Sequence, residues 1–263
     1  EETPMKRVYK SPQEPEALRR YRLAHPDETW EHFRRRTGDG YKQIKRQILQ
    51  DQHGLCAYCE ISIKHAENEG EVDDFRVEHF YPKRSSMEVG HNYHLDWRNL
   101  LGVCHGGSQP DVPDSEWRYS EKKYDRSCDV PKGGKPIADL ILNPLKIPAD
   151  RRIFAYKEHT GQMLVDRVTC PKYLRRKAKR TIRELNLNAP RLMRMRLEVI
   201  QTMQDTISEY MQQGYDLEEV LDVLADNYLF PNSENQCLPF FSVIRWYLGD
   251  AAEMALKKEK YRL

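Results

Sequence analysis

Four cysteines in the first half of the chain constrain its fold more than any other feature. Cys56-Ala57-Tyr58-Cys59 is a Cys-x-x-Cys pair, which lets two thiolates reach one ion from a tight turn, and Cys104 and Cys128 are available to complete a tetrahedral Zn²⁺ site. The residues between the second pair, Gly106-Gly107-Ser108-Gln109-Pro110 through Tyr124-Asp125, are rich in glycine, proline and charge, as a loop inserted into a split knuckle would be. Ordinary buried thiols are the alternative reading of Cys104 and Cys128. Cys170 and Cys237 belong to no motif. Six cysteines with one Cys-x-x-Cys point to metal binding in a reducing compartment, not to a disulfide framework. No apolar run is long enough to span a bilayer and no signal-peptide pattern stands near the start, so the expected location is cytoplasmic, with no membrane partner.

A second chemistry lies inside the cysteine frame. Phosphodiester cleavage needs a base to deprotonate water, a cation on the scissile phosphate, and a group that fixes the base. His79 can be that base, since an imidazole with a pKa near ~6.5 is largely neutral at physiological pH. Glu78 stands beside it. Adjacent side chains on a strand point to opposite faces, so the pair belongs at a strand terminus, where Tyr81-Pro82 ends the strand.

The order Glu78-His79, Asn99, then a polar residue beside the last cysteine resembles the HNH endonucleases, whose ββα-metal fold holds one catalytic metal between two strands and a helix. The resemblance implies that Asn99 orients His79 through the main chain and that a third-position residue binds the metal with Glu78. Cys128-Asp129-Val130-Pro131-Lys132 fits the family pattern with Asp129 as that ligand and a lysine shortly after; His105, which follows Cys104, is the weaker alternative. Two carboxylates suit a hard ion, Mg²⁺ or Mn²⁺. Lys132 is counted among the nucleic-acid contacts. With their neighbours, Cys56-Ala57-Tyr58-Cys59-Glu60, Glu78 to Lys83, Asp96 to Leu101, Cys128-Asp129, Leu142-Asn143-Pro144-Leu145 and Leu185-Asn186-Leu187-Asn188 resemble the HNH subunit of Septu-type (PtuB) anti-phage systems, which also accompanies some retrons. That resemblance covers most of the chain. It implies a nuclease that works with a separate ATPase subunit (PtuA-like); DNA is expected as substrate ahead of RNA, although no residue distinguishes the two.

The remaining sequence is read as scaffold. Lys and Arg (43) nearly cancel Asp and Glu (41), so a nucleic-acid surface must come from local clustering. Short helices are expected at 16–24 and 41–52, with Trp30 and Phe33 docking the N-terminal segment and Lys45 and Arg46 on a solvated helix face, phosphate contact being the alternative. Ile61-Ser62-Ile63 alternates like a short strand, an acidic turn follows at 65–74, and 73–80 is the strand that delivers Glu78-His79. Residues 153–156 and 163–165 flank Thr160-Gly161 as a hairpin. Beyond Lys172 the pattern is helical. Arg175, Arg176, Lys177, Lys179, Arg180 and Arg183 form the densest basic segment, with Arg176 and Arg180 expected on nucleic-acid backbone and a partner-protein surface as the alternative. Amphipathic helices are expected at 191–211 and 216–228, and an apolar one at 239–248 that packs as core.

The fold class expected is therefore α+β: a ββα-metal nuclease core with zinc knuckles, followed by a mainly helical C-terminal region. Its division is an N-terminal helical segment (1–54), the nuclease core with knuckles and hairpin (55–168) and the helical region (169–263). A non-catalytic, zinc-stabilised module that binds nucleic acid or an ATPase is the alternative function. No Gly-x-x-x-x-Gly-Lys-Ser/Thr phosphate loop makes this chain itself an ATPase.

Overall fold

The computed structural model describes residues 6–66, 73–85 and 90–261. Most of the expected acidic turn at 65–74 falls outside them. The chain opens with three helices, α1 (Glu16–Ala24), α2 (Trp30–Arg36) and α3 (Gly38–Asp51). The hydroxyl of Thr29 accepts the His32 N–H and caps α2. The apolar face of α3, Ile44 and Ile48, is fully buried. Lys45 corrects the sequence reading: it is 1% exposed, because its ammonium reaches the Asp73 carboxylate and the Phe75 carbonyl oxygen (3.1 Å).

Two strands carry the centre of the molecule. β1 (Phe75–His79) pairs antiparallel with β2 (Leu100–Cys104), with Glu78 opposite Leu101 and His79 opposite Leu100. Every residue of β2 is buried. Its middle residue is Gly102 because a Cβ there would sit 2.6 Å from the Ile48 side chain. The Gln52 side chain at the end of α3 then brackets that backbone, accepting the Gly102 N–H at 2.7 Å and donating to its carbonyl oxygen at 2.9 Å. Ile61-Ser62-Ile63 does not form a full strand; a single bridge joins Leu55 to Ser62. The inserted loop contains one short helix, α4 (Ser115–Arg118), and returns to the strands at a single helical turn, α5 (Asp129–Lys132).

A second two-stranded sheet, β3 (Phe154–Tyr156) and β4 (Met163–Val165), is the expected hairpin, turning through Gly161 at φ +64°. It packs on the helical C-terminal region, where the Tyr156 hydroxyl and Ser242 Oγ are 2.6 Å apart. That region comprises α6 (Arg175–Glu184), α7 (Pro190–Gln212), α8 (Leu217–Tyr228) and α9 (Phe241–Lys258). Asp216 caps α8 by accepting the Glu218 N–H. The apolar 239–248 stretch enters α9 at Phe241 and is core, with Phe241, Val243, Ile244 and Leu248 buried. One apolar cluster runs from Val8 through both strands of the first sheet to Leu192 and Val243; a second joins α7, α8 and α9. The architecture is mixed α+β, with two small antiparallel sheets, a buried group of four cysteines and a helical C-terminal region. No helix among the described residues is long and apolar enough to cross a membrane.

Candidate functional site

Cys56 and Cys59 follow α3, Cys104 ends β2 and Cys128 immediately precedes α5, so distant segments deliver the four thiols. All four are buried, and their Sγ atoms lie within 4.8 Å of one another. The Sγ separations are 3.6 Å for Cys59 and Cys104, 3.6 Å for Cys104 and Cys128, and 4.0 Å for Cys56 and Cys128. Four sulfurs at Zn–S bond lengths of about 2.3 Å stand about 3.8 Å apart at the corners of a tetrahedron. The spacing fits one zinc ion and is too long for S–S bonds, which are about 2.05 Å.

The surroundings suit thiolates. The Cys104 and Gly106 N–H groups point at Cys56 Sγ (3.3 Å) and Cys104 Sγ (3.4 Å). Gly106 needs its φ of +58°, and a Cβ on it would lie 2.2 Å from the Ser127 carbonyl oxygen. Hydrogen bonding among the cysteines, first with Cys128, holds the Cys104 thiol well below its ordinary range, whereas burial pushes Cys56 and Cys128 well up. Arg191 of α7 donates to Ser127 Oγ, which in turn stands 3.5 Å from Cys128 Sγ.

The two expected carboxylates, Glu78 and Asp129, lie beside this cluster. Arg76 and Glu78 alternate onto one face of β1, and His79, the last residue of the strand, points to the other. On the first face, Glu78 is ion-paired to Lys132, whose ammonium also donates to the His79 carbonyl oxygen at 3.1 Å. The Tyr58 hydroxyl, inside the first knuckle, lies 3.5 Å from Glu78 Oε1. Asp129 is held by Arg76 through two contacts, 2.6 and 2.9 Å. Burial raises the pKa of both carboxyls above the ordinary range, with Lys132 opposing the shift at Glu78 and Arg76 at Asp129. Two hard oxygen donors are thus adjacent to the cysteine cluster, each paired with a cation of the chain itself.

On the other face, His79 is 6% exposed. Its Nε2 donates to the His94 carbonyl oxygen at 3.1 Å, since a carbonyl can only accept, so Nδ1 keeps the lone pair. The ring stands edge-on to Trp30 of α2, centroids 5.2 Å apart. Desolvation pushes its pKa down to about 3, so the ring is neutral. Asn99 staples the chain around it. Its side chain accepts the Tyr81 N–H (2.7 Å) and donates to the carbonyl oxygens of Tyr81 and Tyr93 (both 3.0 Å), while its own carbonyl oxygen accepts the Phe80 N–H (2.9 Å). The residues just after His79 and just before His94 are fixed by this one side chain.

The other named residues fall elsewhere. His105 donates from Nε2 to the Asp73 carbonyl oxygen, 2.7 Å. Lys132 is 1% exposed, so it meets Glu78 and not solvent. Arg176 is exposed on α6, and Arg180 lies half-buried beside Glu184 at 3.5 Å. Trp30, Tyr58, Arg76 and His94 also belong to the site: Tyr58 lies inside the Cys-x-x-Cys turn, and His94, which the sequence places near the site as a loop residue that could contact substrate, instead holds His79 through its carbonyl oxygen. Arg76 was within reach of strand alternation, being two residues before Glu78; the rest are placed by long-range packing.

No protein-family model matches the chain. The chain is similar to the curated Escherichia coli protein "Retron Ec83 putative HNH endonuclease", with 35% identity over 176 residues. The match takes in 63% of this chain and 64% of that protein's length, just under two thirds. It bears on the HNH and retron parts of the resemblance; the Septu part rests on the motifs alone.

Proposed function

We propose that the chain is a metal-dependent endonuclease of the HNH type that hydrolyses phosphodiester bonds, DNA before RNA. The observation that carries this reading is the arrangement at the end of β1. A neutral, stapled histidine and a carboxylate leave opposite faces of one strand end, and a second carboxylate stands on the helical turn that follows the last cysteine. The similarity to an HNH protein supports it.

In this reading Glu78 and Asp129 hold the catalytic Mg²⁺ or Mn²⁺, which when bound supplies a Lewis acid for the phosphate oxygens. Were such an ion bound, Lys132 and Arg76, which pair with these carboxylates, would be released from them and could meet phosphate. His79 takes the proton of the attacking water at Nδ1, while Asn99 and the His94 carbonyl oxygen hold its ring in place. A phosphate anion entering beside the imidazole would raise its basicity from the value that burial depresses. The four cysteines hold a structural zinc. A role in anti-phage defence beside an ATPase subunit, as in the Septu resemblance, completes the proposal, with the retron association brought over from the relative's name.

The test is cleavage of plasmid DNA and of total RNA by purified protein in added Mg²⁺ or Mn²⁺, alone and with the ATPase, comparing wild type with His79→Ala at equal zinc content. Cleavage that disappears in His79→Ala supports the reading, and the polymer cut names the substrate. Cleavage that persists would mean another base. No cleavage of either polymer, even with the ATPase, would favour the zinc-stabilised binding module instead.

A further inference from the structure

The strongest feature outside this site is a groove of about 1000 Å³ between the β3–β4 hairpin and α6. Arg167, Arg176, Lys179, Arg180 and Arg183 line it, and Leu164, Val165 and Ile182 make an apolar floor. Val168 at its rim is 91% exposed and Leu164 39% exposed, an unusual display of aliphatic surface beside so many cations. From Arg167 to Arg183 the chain has eight Lys and Arg and no Asp or Glu. Glu184 is the nearest acid on the helix and is shared by Arg180, Arg183 and Lys135, so the positive charge remains in excess. Asp166, which also borders the groove, is 7% exposed and caps the turn after β4 by accepting the Val168 and Thr169 N–H groups. Arg175 is spent on structure, donating to the Cys170 and Arg167 carbonyl oxygens, and braces the loop that closes one end.

We infer that this groove is a track for single-stranded nucleic acid, with phosphates on Arg167, Arg176, Lys179 and Arg183 and unstacked bases against the Leu164, Val165 and Ile182 floor. Charge complementarity selects a polyanion, and the apolar floor selects the strand state. A duplex keeps its bases inside and offers a groove only phosphate and sugar, whereas a single strand presents base faces that an apolar surface can cover. The helix that forms one wall of the groove, α6, is also bonded to the segment that carries the proposed nuclease site. Past its C-terminal end, Leu185 accepts the Cys128 N–H (2.8 Å), and Thr181 Oγ1 accepts the Leu142 N–H (2.8 Å), so α6 is tied directly to the knuckle that carries Asp129. The choice of nucleic acid over another polyanion rests on the nuclease reading.

The test is fluorescence anisotropy of a labelled oligothymidylate and of a matched duplex, in chelator-free buffer without added divalent ion, across a salt series. Full-length wild type is compared with Arg167→Gln/Arg176→Gln/Lys179→Gln, three exposed positions whose change leaves the fold and zinc content intact. Wild type is expected to bind the single strand more tightly than the duplex. The triple variant is expected to bind it roughly tenfold more weakly or worse, with a log–log salt slope smaller by about 2, at ~0.7 per lost phosphate contact. Unchanged affinity and slope in the variant would overturn the proposal, as would equal binding of duplex. So would intact oligonucleotide binding with loss of ATPase co-purification, which would assign the groove to that protein. Plasmid cleavage measured in parallel separates the two readings. A variant that loses binding when even wild type cuts nothing leaves the track standing without the nuclease, and a wild type that cuts while the variant binds normally leaves the nuclease without the track.

Discussion

If the four cysteines hold zinc as proposed, removing it should cost this chain most of its net stability. The four sulfurs are each buried, and the ion they fit joins the turn after α3, the end of β2 and the start of α5, closing the long loop between Cys104 and Cys128. Structural zinc sites bind with about 10–16 kcal/mol of apparent free energy, against a net stability of about 5–15 kcal/mol for a typical domain. Even a loss of about 5 kcal/mol lowers Tm by roughly 10–20 °C in a chain of this size, at about 2–4 °C per kcal/mol. Cys104→Ser, which removes the sulfur nearest two of its partners, is therefore expected to purify with little zinc and to lose its cooperative transition or melt at least about 10 °C lower. Cys170→Ser and Cys237→Ser, at cysteines outside the cluster, are expected to keep both. The assay is zinc content by elemental analysis together with thermal unfolding, with and without a strong chelator. A wild-type protein that contains no zinc, or a Cys104→Ser variant melting within about 2 °C of wild type, would refute the reasoning.

Three other perturbations follow from the same geometry. Lys132→Met strands the largely but not fully buried Glu78 carboxylate without its buried cation, at a cost of up to about 3–5 kcal/mol. Thermal unfolding should show a large drop that added Mg²⁺ or Mn²⁺ partly restores, and an unchanged Tm would mean that the pair is not load on the fold. His79 has a native pKa of about 3, below the ordinary ~6.5 of an unfolded histidine, so its neutral ring contributes stability that is complete above ~pH 6.5 and is lost as the pH falls towards 3. The stability gap between wild type and His79→Asn should accordingly narrow by a few kcal/mol over that window in denaturant titrations, whereas a gap independent of pH would contradict the burial argument. Gly102→Val, which drives a side chain into Ile48 and the Gln52 bracket, is expected to destabilise by about 1–3 kcal/mol, and a neutral result would show that β2 and α3 can part.

What could be read in the sequence was what is local. The Cys-x-x-Cys turn, the strand carrying Glu78-His79, the hairpin around Gly161 and the four C-terminal helices all rest on spacing of two, three or four residues, and each is found near its expected place. The partners that complete the site come from far along the chain. Trp30 covers His79 from a helix about fifty residues earlier, and Arg76 meets Asp129 across a separation of 53 residues, contacts that leave no periodic trace. Lysines misled for a related reason. Lys45 stands beside the apolar Ile44 on α3, so periodicity puts it at the edge of the solvated face, yet its long stem carries the ammonium under β1 to Asp73 and Phe75. Whether a lysine is a surface charge or a buried clamp depends on an acceptor the local pattern does not contain.

The same bookkeeping of charge explains why the two halves of the chain belong together. A zinc ion held by four thiolates carries a net charge of −2, and burying it needs compensation. Arg191 and Arg196 of α7 are 1% and 0% exposed, and their guanidinium groups donate to neutral acceptors: the Asp125 carbonyl oxygen and Ser127 Oγ for Arg191, the Gly161 and Leu187 carbonyl oxygens for Arg196. Arg191 Nη1 has no hydrogen-bond partner at all. Such donors are a costly way to satisfy backbone oxygens and a sound way to place positive charge beside a buried dianion. Gly107 marks how close the approach is, since a Cβ on it would lie 2.7 Å from Arg191 Nε just past Cys104. The helical region thus does more than cap the core: α7 supplies the charge that the cysteine cluster lacks, α6 fixes the Cys128 backbone, and the carboxylate beside that cysteine is held in turn by Arg76. An ion entering between Glu78 and Asp129 would displace Lys132 and Arg76 without disturbing the arginines behind the zinc, so the structural and the reactive charges are compensated by separate sets of cations.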